Sequence, residues 1–333
     1  MKVAIIGAGH WHVPQYLKAL KGLDVEIVGI SDWSEAALER AGAEVGCPRY
    51  RCFQELLVEQ RPEFVFAHAS HDEMTHLASV LVGRHQPFHM EKPMGLDWKA
   101  LEPVAVKAQT EKLFVSVPLV SRYYAPIEHL RSMRLDGTLG RPVHYHYRLF
   151  AGPPSRYLDL GVEWMLDPKH AGAGPLFNFG SHVIDLYLYL MEEEVAEVFA
   201  RQTSSMYGLA IEDLTSVTLV GKSGSIGTVE VSYTLPSGHE TFVSFTTDKL
   251  HYSGTASAGM LTTAPGKGIA LEGLTMDEAY AYYTGDTLAR FVAGEAPKAG
   301  IGDMAKILRV MNAAQESIRT GKAVKVGAVD GEE

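Results

Sequence analysis

Cysteine is scarce in this chain: Cys47 and Cys52 are the two present among 333 residues. They fit a reducing compartment better than a disulfide framework. Long apolar runs are lacking as well. The opening Met-Lys-Val-Ala-Ile-Ile-Gly is too short in its apolar part for a signal peptide or a membrane span, so a cytoplasmic protein is expected. Basic runs are also missing, and the formal net charge is -10. That argues against nucleic acid or an anionic membrane as partner. Internal repeats and long low-complexity segments are absent too. What remains, 46% hydrophobic and 21% charged residues, is the composition of a soluble globular protein. The length is too great for one ordinary core and predicts two domains.

The first stretch with chemical content is Val3 to Gly9. A continuous apolar run, Val3 to Ile6, breaks at Gly7-Ala8-Gly9, and Val13, Leu17 and Leu20 follow at helical spacing with Tyr16 beside them. Strand, glycine turn and helix form the setting of a dinucleotide site. Gly7 makes the tight turn, and Gly9 lets the backbone approach a pyrophosphate at the helix N-terminus. The third glycine of that fingerprint is His12 here. A second strand, Val25 to Ile30, ends at Ser31-Asp32-Trp33. An acid at Asp32 can hydrogen bond an adenosine ribose and repel a 2′-phosphate, and no Arg or Lys follows at once. NAD is therefore favoured over NADP. Asp32 can equally cap a helix over Ser34–Arg40. Beyond it, helical segments (Phe53–Gln60, Met74–Gly83, Asp97–Thr110) alternate with strands (Phe64–Ala67, Pro87–Met90, Leu113–Val117). That alternation predicts a doubly wound parallel sheet, an α/β fold, over residues 1–120. Ligands bind at the carboxyl ends of such strands. The candidate cofactor-binding residues are Gly7, Gly9, His10, Trp11, His12, Asp32, Trp33, Ser70, His71, Glu91 and Lys92.

Lys92 lies in Phe88-His-Met-Glu91-Lys92-Pro93, where a strand stops and proline pushes the preceding residue toward extended geometry. A lysine held there beside a carboxylate is a usable donor for a substrate oxygen. After residue 120 the pattern changes. A helix is expected over Arg122–Leu135 and another over Val183–Leu190. Strands are expected over Val143–Phe150, Val195–Thr203, Leu214–Val220, Ser225–Tyr233 and Thr241–Thr247, with a weaker one at Ile269–Leu271. Helices Asp277–Ala293 and Asp303–Thr320 follow, Gly321 stopping the second. Residues 121–333 then form an α+β domain with an open, mostly antiparallel sheet and helices on one face. Val329 to Glu333 are expected to fray. Before the helix at Val183, Asn178, His182 and Asp185 are spaced four and three apart behind a glycine cluster. An early enough helix start places them on one face, where an amide and a carboxylate could orient the histidine.

These motifs together resemble the glucose–fructose oxidoreductase / inositol dehydrogenase / rhizopine-catabolism family, and the resemblance covers nearly the whole chain. Gly7-Ala8-Gly9, Glu91-Lys92-Pro93 and Asn178-Phe-Gly180-Ser-His182-Val-Ile-Asp185 carry it, with His76 as the family's histidine on the helix before the Glu-Lys-Pro strand. The resemblance implies a Rossmann domain, bound NAD, and hydride transfer between a sugar or polyol carbon and nicotinamide. It makes His182 the proton acceptor, Lys92 its partner at the same oxygen, and the Lys92–Pro93 bond cis. It also implies a homodimer or homotetramer through the C-terminal sheet. Asn178 departs from the commonest pattern, which has aspartate. An amide positions a hydroxyl but takes no proton, and its presence removes a charge that would raise the pKa of His182.

Other residues complete the expected site. Arg122 sits at the domain junction and could touch the nicotinamide end or the substrate. Tyr157 and Trp164 could stack on a sugar face or simply pack. His144 and His146 share one face of a strand, but no third ligand is evident, so no metal is expected. Two rival functions stand beside the dehydrogenase. One is redox-neutral glycoside cleavage with transiently reduced NAD. The other is a non-catalytic, dinucleotide-dependent regulator, against which the retention of Lys92 and His182 argues.

Overall fold

The computed structural model describes residues 1–263 and 266–327; the fraying expected for Val329 to Glu333 lies outside the described residues. The first apolar run is β1 (Lys2–Ile6), buried from its second residue onward. It leads into α1 (Val13–Leu20), whose Val13, Tyr16, Leu17 and Leu20 face the core. The alternation continues through β2 (Glu26–Ser31), α2 (Glu35–Val45), β3 (Arg49–Tyr50), α3 (Phe53–Gln60), β4 (Phe64–Ala67), α4 (His71–Gly83), β5 (Phe88–Met90), α5 (Trp98–Thr110) and β6 (Val115–Ser116). Among the described residues these strands form one parallel sheet in the order β3-β2-β1-β4-β5-β6. Both faces of β4 and β5 are buried, which explains sequences that are apolar throughout rather than alternating. The strand order reverses between β1 and β4, and the crevice for a ligand opens at their carboxyl ends.

A 3₁₀ turn over Val120–Tyr123 precedes α6 (Ala125–Leu135). The helix expected from Arg122 thus begins at Ala125, where Pro126 occupies the first turn and no N–H is needed. The chain continues with β7 (Pro142–Ala151), two short helices α7 (Arg156–Asp159) and α8 (Pro168–Ala171), and the long α9 (Pro175–Met191). Then come β8 (Val195–Thr203), β9 (Leu214–Gly221), β10 (Ile226–Ser232), β11 (His239–Thr247), β12 (Leu250–Gly254), β13 (Ala258–Thr263) and β14 (Lys267–Glu272). Helices α10 (Met276–Ala293) and α11 (Ile301–Thr320) and the short β15 (Val324–Lys325) follow. The second sheet, among the described residues, runs β14-β13-β12-β11-β7-β10-β9-β8-β15. It is antiparallel except where β10 lies parallel to β7. Its inner face packs on α9, and the Tyr145 hydroxyl donates to the Val183 carbonyl at 2.8 Å.

The last two helices do not stay with the second sheet. Helix α10 packs on α1, and α11 lies against α5 as well as against β8 and α9. The chain therefore crosses between the two sheets more than once. Two of the crossings touch: the Val117 amide donates to the Ala299 carbonyl at 3.1 Å, and Ser116 bridges Gly300.

Candidate active site

At the carboxyl ends of β1, β2 and β4 lies a cavity of about 590 Å³. Its floor is the glycine turn. Gly7 has φ +75°, and a Cβ there would stand 2.1 Å from the His68 carbonyl oxygen, so no other residue fits. The Gly9 amide donates to Asp32 Oδ2 at 2.8 Å, and Oδ1 accepts from the Ser34 amide at 2.8 Å. Asp32 therefore ties the turn to the end of β2, and the cap of α2 is Ser34, whose Oγ accepts from the Ala37 amide at 3.4 Å. Gly7, Gly9, His10, Asp32, Trp33, Ser70 and His76 all line this cavity. Arg40 and Arg51 line it too, and Arg51 donates to the Trp33 carbonyl at 2.8 Å. The absence of a base directly after Asp32 in sequence is thus not an absence in space. A glycine cradle that a Cβ would fill, beside an acid at the end of the second strand, fits a dinucleotide.

The turn divides its three aromatic residues. His10 faces the first cavity, whereas Trp11 and His12 line a second one of about 510 Å³. The Trp11 ring stacks on His10 at 3.9 Å and lies 5.6 Å from Trp164. Trp164 belongs to the first cavity, so these rings form the wall between the two.

Lys92 reaches the second cavity from the end of β5. Glu91 and Lys92 are both buried, and the Lys92–Pro93 bond is cis. Lys92 Nζ donates to the Asn178 carbonyl at 3.0 Å and to Asn178 Oδ1 at 3.3 Å. Burial pulls its pKa down, against the opposing charge of Glu91. Asn178 Nδ2 donates to the hydroxyls of Tyr157 and, at 3.1 Å, Tyr233. His182, one turn further along α9, lines the same cavity. Burial and the neighbouring Lys92 lower its pKa to about 3, so its ring is neutral near pH 7.

Helix α9 begins early enough to carry Asn178 because its N-terminus is capped from elsewhere. The Glu212 carboxylate accepts from the amides of Gly174 at 2.6 Å and Leu176 at 3.1 Å. A Cβ on Gly174 would stand 2.4 Å from the Glu212 carbonyl oxygen, which accounts for a glycine there. A carboxylate at this end also complements the helix dipole.

Several expected contacts are not made. Asp185 is not the partner of His182. The two are neighbours on the helix by spacing, but Asp185 is engaged by the Arg122 guanidinium at 2.6 Å. Arg122 also meets Asp303 at 3.1 Å and the Lys298 carbonyl at 2.9 Å, in a cleft separate from both cavities. It is a junction between elements rather than a substrate contact. His71 is wholly buried, with Nδ1 3.0 Å from the Ala171 carbonyl oxygen, and secures α8 instead of lining the dinucleotide cavity. His144 and His146 lie on the outer face of the second sheet, His146 being 3.4 Å from Glu230. Among the described residues no cluster of His, Cys, Asp or Glu could hold a metal ion. Tyr233 and Tyr16 were not anticipated. Tyr16 donates to Glu91 Oε1; its place on the buried stripe of α1 marked it only as core.

A reversing parallel sheet with this cradle at its switch point is a dinucleotide-binding Rossmann fold, and a second cavity adjoins it. The chain belongs to the GFO/IDH/MocA family: the model described as "Oxidoreductase family, NAD-binding Rossmann fold" matches residues 1–119, and that of the family's C-terminal domain matches 127–252. Among curated proteins it is 24% identical over 240 residues to myo-inositol 2-dehydrogenase of Thermotoga maritima, covering 70% of this chain and 68% of that one. Among solved structures, levoglucosan dehydrogenase in complex with NADH superposes with a TM-score of 0.88 at 13% identity, covering 99% of this chain and 100% of that one. An oxidoreductase from Agrobacterium radiobacter in complex with NAD+, L-tartaric acid and magnesium gives 0.84 at 19% identity, over 98% and 99%.

Proposed function

We propose that this protein is an NAD-dependent dehydrogenase acting on the CH–OH group of a sugar or polyol. The observation that carries the reading is the convergence of Lys92 and His182 on one cavity directly beside the glycine cradle. NAD, when bound, supplies the hydride acceptor. Lys92 donates a hydrogen bond to the reacting oxygen and stabilises it as charge develops. His182, neutral and open to the cavity, receives the hydroxyl proton. Asn178 holds the Lys92 ammonium with two oxygens and is itself fixed by two tyrosines. Asp32 favours NAD over NADP. The relatives named for myo-inositol and levoglucosan support a polyol or sugar as substrate.

A panel of sugars and polyols screened for accumulation of NADH tests this. Net NADH from at least one member is expected, and its loss in His182→Ala. A protein that binds NAD yet yields no NADH with any member, while cleaving a glycoside, would instead fit the redox-neutral alternative. Both cysteines are unpaired, in keeping with a reducing, cytoplasmic setting.

We also propose that the outer face of the second sheet is a self-association surface. Phe199, Thr218, Thr228, His146, Ser244, Ser253 and Met260 stand in one row across it by strand register. Phe199 and Met260 are exposed in the single chain. Four small hydroxyl side chains and His146 between two exposed apolar ones suit a meeting with a second copy about a two-fold axis. Sedimentation should give a dimer or tetramer, and Thr228→Arg should weaken it.

A further inference from the structure

We propose that His12 is a substrate-binding residue that selects for a second hydroxyl, so that the substrate is a polyol or sugar whose additional hydroxyl donates to His12 Nε2. This rests on the dehydrogenase reading of the cavity. His12 occupies the position where a dinucleotide turn has its third glycine, yet it lines the cavity of Lys92, Asn178 and His182 rather than that of Asp32. It is the residue before α1, and its side chain makes no cap bond to that helix. Capping of the helix therefore does not account for an imidazole here.

What fixes the ring is Glu91. His12 Nδ1 lies 2.9 Å from Glu91 Oε1. The same oxygen accepts from the Tyr16 hydroxyl, and Oε2 accepts from the Lys92 amide at 3.1 Å. Glu91 is completely buried. Burial works against its charge, but the hydrogen bonds and charge around it outweigh this and hold the carboxyl well below the usual range. An ionised carboxylate only accepts hydrogen bonds. At 2.9 Å a bare Nδ1 would set its lone pair against those of the carboxylate, so the tautomer that fits carries its hydrogen on Nδ1 and presents Nε2 to the cavity as an acceptor. No protein donor bonds to Nε2 among the described residues. A cavity that offers Lys92 as donor and Nε2 as a separate acceptor suits a ligand with two hydroxyls. It penalises one that lacks the second, since a polar atom is left unpaired.

The test uses NAD-loaded protein with isotope-labelled histidine and three probes: myo-inositol, a vicinal cyclohexanediol and cyclohexanol. Nitrogen NMR should show His12 hydrogenated at Nδ1. Its Nε2 signal should move on adding inositol or the diol, and not on adding cyclohexanol. In turnover, His12→Ala should cut the preference for diol over cyclohexanol by about 10-fold, the worth of roughly one hydrogen bond. The loss should fall on KM rather than kcat, and His12→Gln, which keeps an acceptor, should restore part of it. NAD affinity should stay unchanged. Hydrogen on Nε2, a signal unmoved by both polyols, or a loss of NAD affinity in His12→Ala would overturn the proposal. Failure of the dehydrogenase reading looks different: the Nε2 signal responds to the polyols, but no NADH forms.

Discussion

The two cavities adjoin, yet they are built by opposite means. The floor of the dinucleotide cavity is made of backbone. Its cradle is a turn of three residues, and its acid stands at the end of the next strand. The second cavity is made of side chains drawn from distant places: the α1 turn, the end of β5, β7, α7, α9 and α10. A site made of backbone depends on where glycine is tolerated. A site made of side chains depends on each neighbour's hydrogen bonds, because buried polar groups left unpaired are costly. The first should therefore change its preference under mutation, and the second should lose its chemistry.

The largest expected effect lies in the second cavity. Lys92→Ala and His182→Ala should each lower kcat by about 10²–10⁴, and the double variant should be little worse than the worse single. NAD affinity, measured by calorimetry, should hardly move in His182→Ala. A fall in affinity as large as the fall in kcat would mean that the two cavities act as one.

A smaller effect is expected in the first. Asp32→Ala removes a carboxylate that can bond a ribose hydroxyl, worth about 10–100-fold in NAD affinity for a charged hydrogen bond. It also leaves Arg40 and Arg51 facing a 2′-phosphate without an opposing charge. NADP binding should improve while NAD binding weakens. Unmutated protein that already prefers NADP would show that the arginines, not Asp32, set the choice.

The smallest effect is a shift of pH dependence. His182 is held neutral down to about pH 3 by burial and by Lys92. Asn178→Asp places a carboxylate nearby, which favours the charged ring, so the acid limb of kcat should move to higher pH. At neutral pH the rate should change by less than about 10-fold. An acid limb that stayed in place would show that His182 does not carry the proton.

The same contrast decides what could be recognised from sequence. Gly7, Asp32 and Lys92 follow local rules: a positive φ, a strand end, a proline. Each was assigned to an end of a parallel strand, and each lies there. The split between His10 and His12 was not visible, because which side of a turn a ring takes depends on Glu91 and Trp164, far along the chain. Asp185 was misassigned for a similar reason, since its partner Arg122 arrives from another element. Arg51 was missed because β3 brings it beside Asp32 from outside the local sequence. Strands β12 and β13 were missed, and only part of β14 was seen. The first two run through Ser, Gly and Thr, and β14 is exposed along nearly its whole length, so none of the three leaves a clear alternation.

The paired crossings at Ser116–Val117 and Ala299–Gly300 have a mechanical consequence. Each crossing is hydrogen bonded to the other, so neither segment can slide along its neighbour without breaking a backbone bond. The Val117 amide is therefore expected to exchange slowly with solvent for as long as the pair holds.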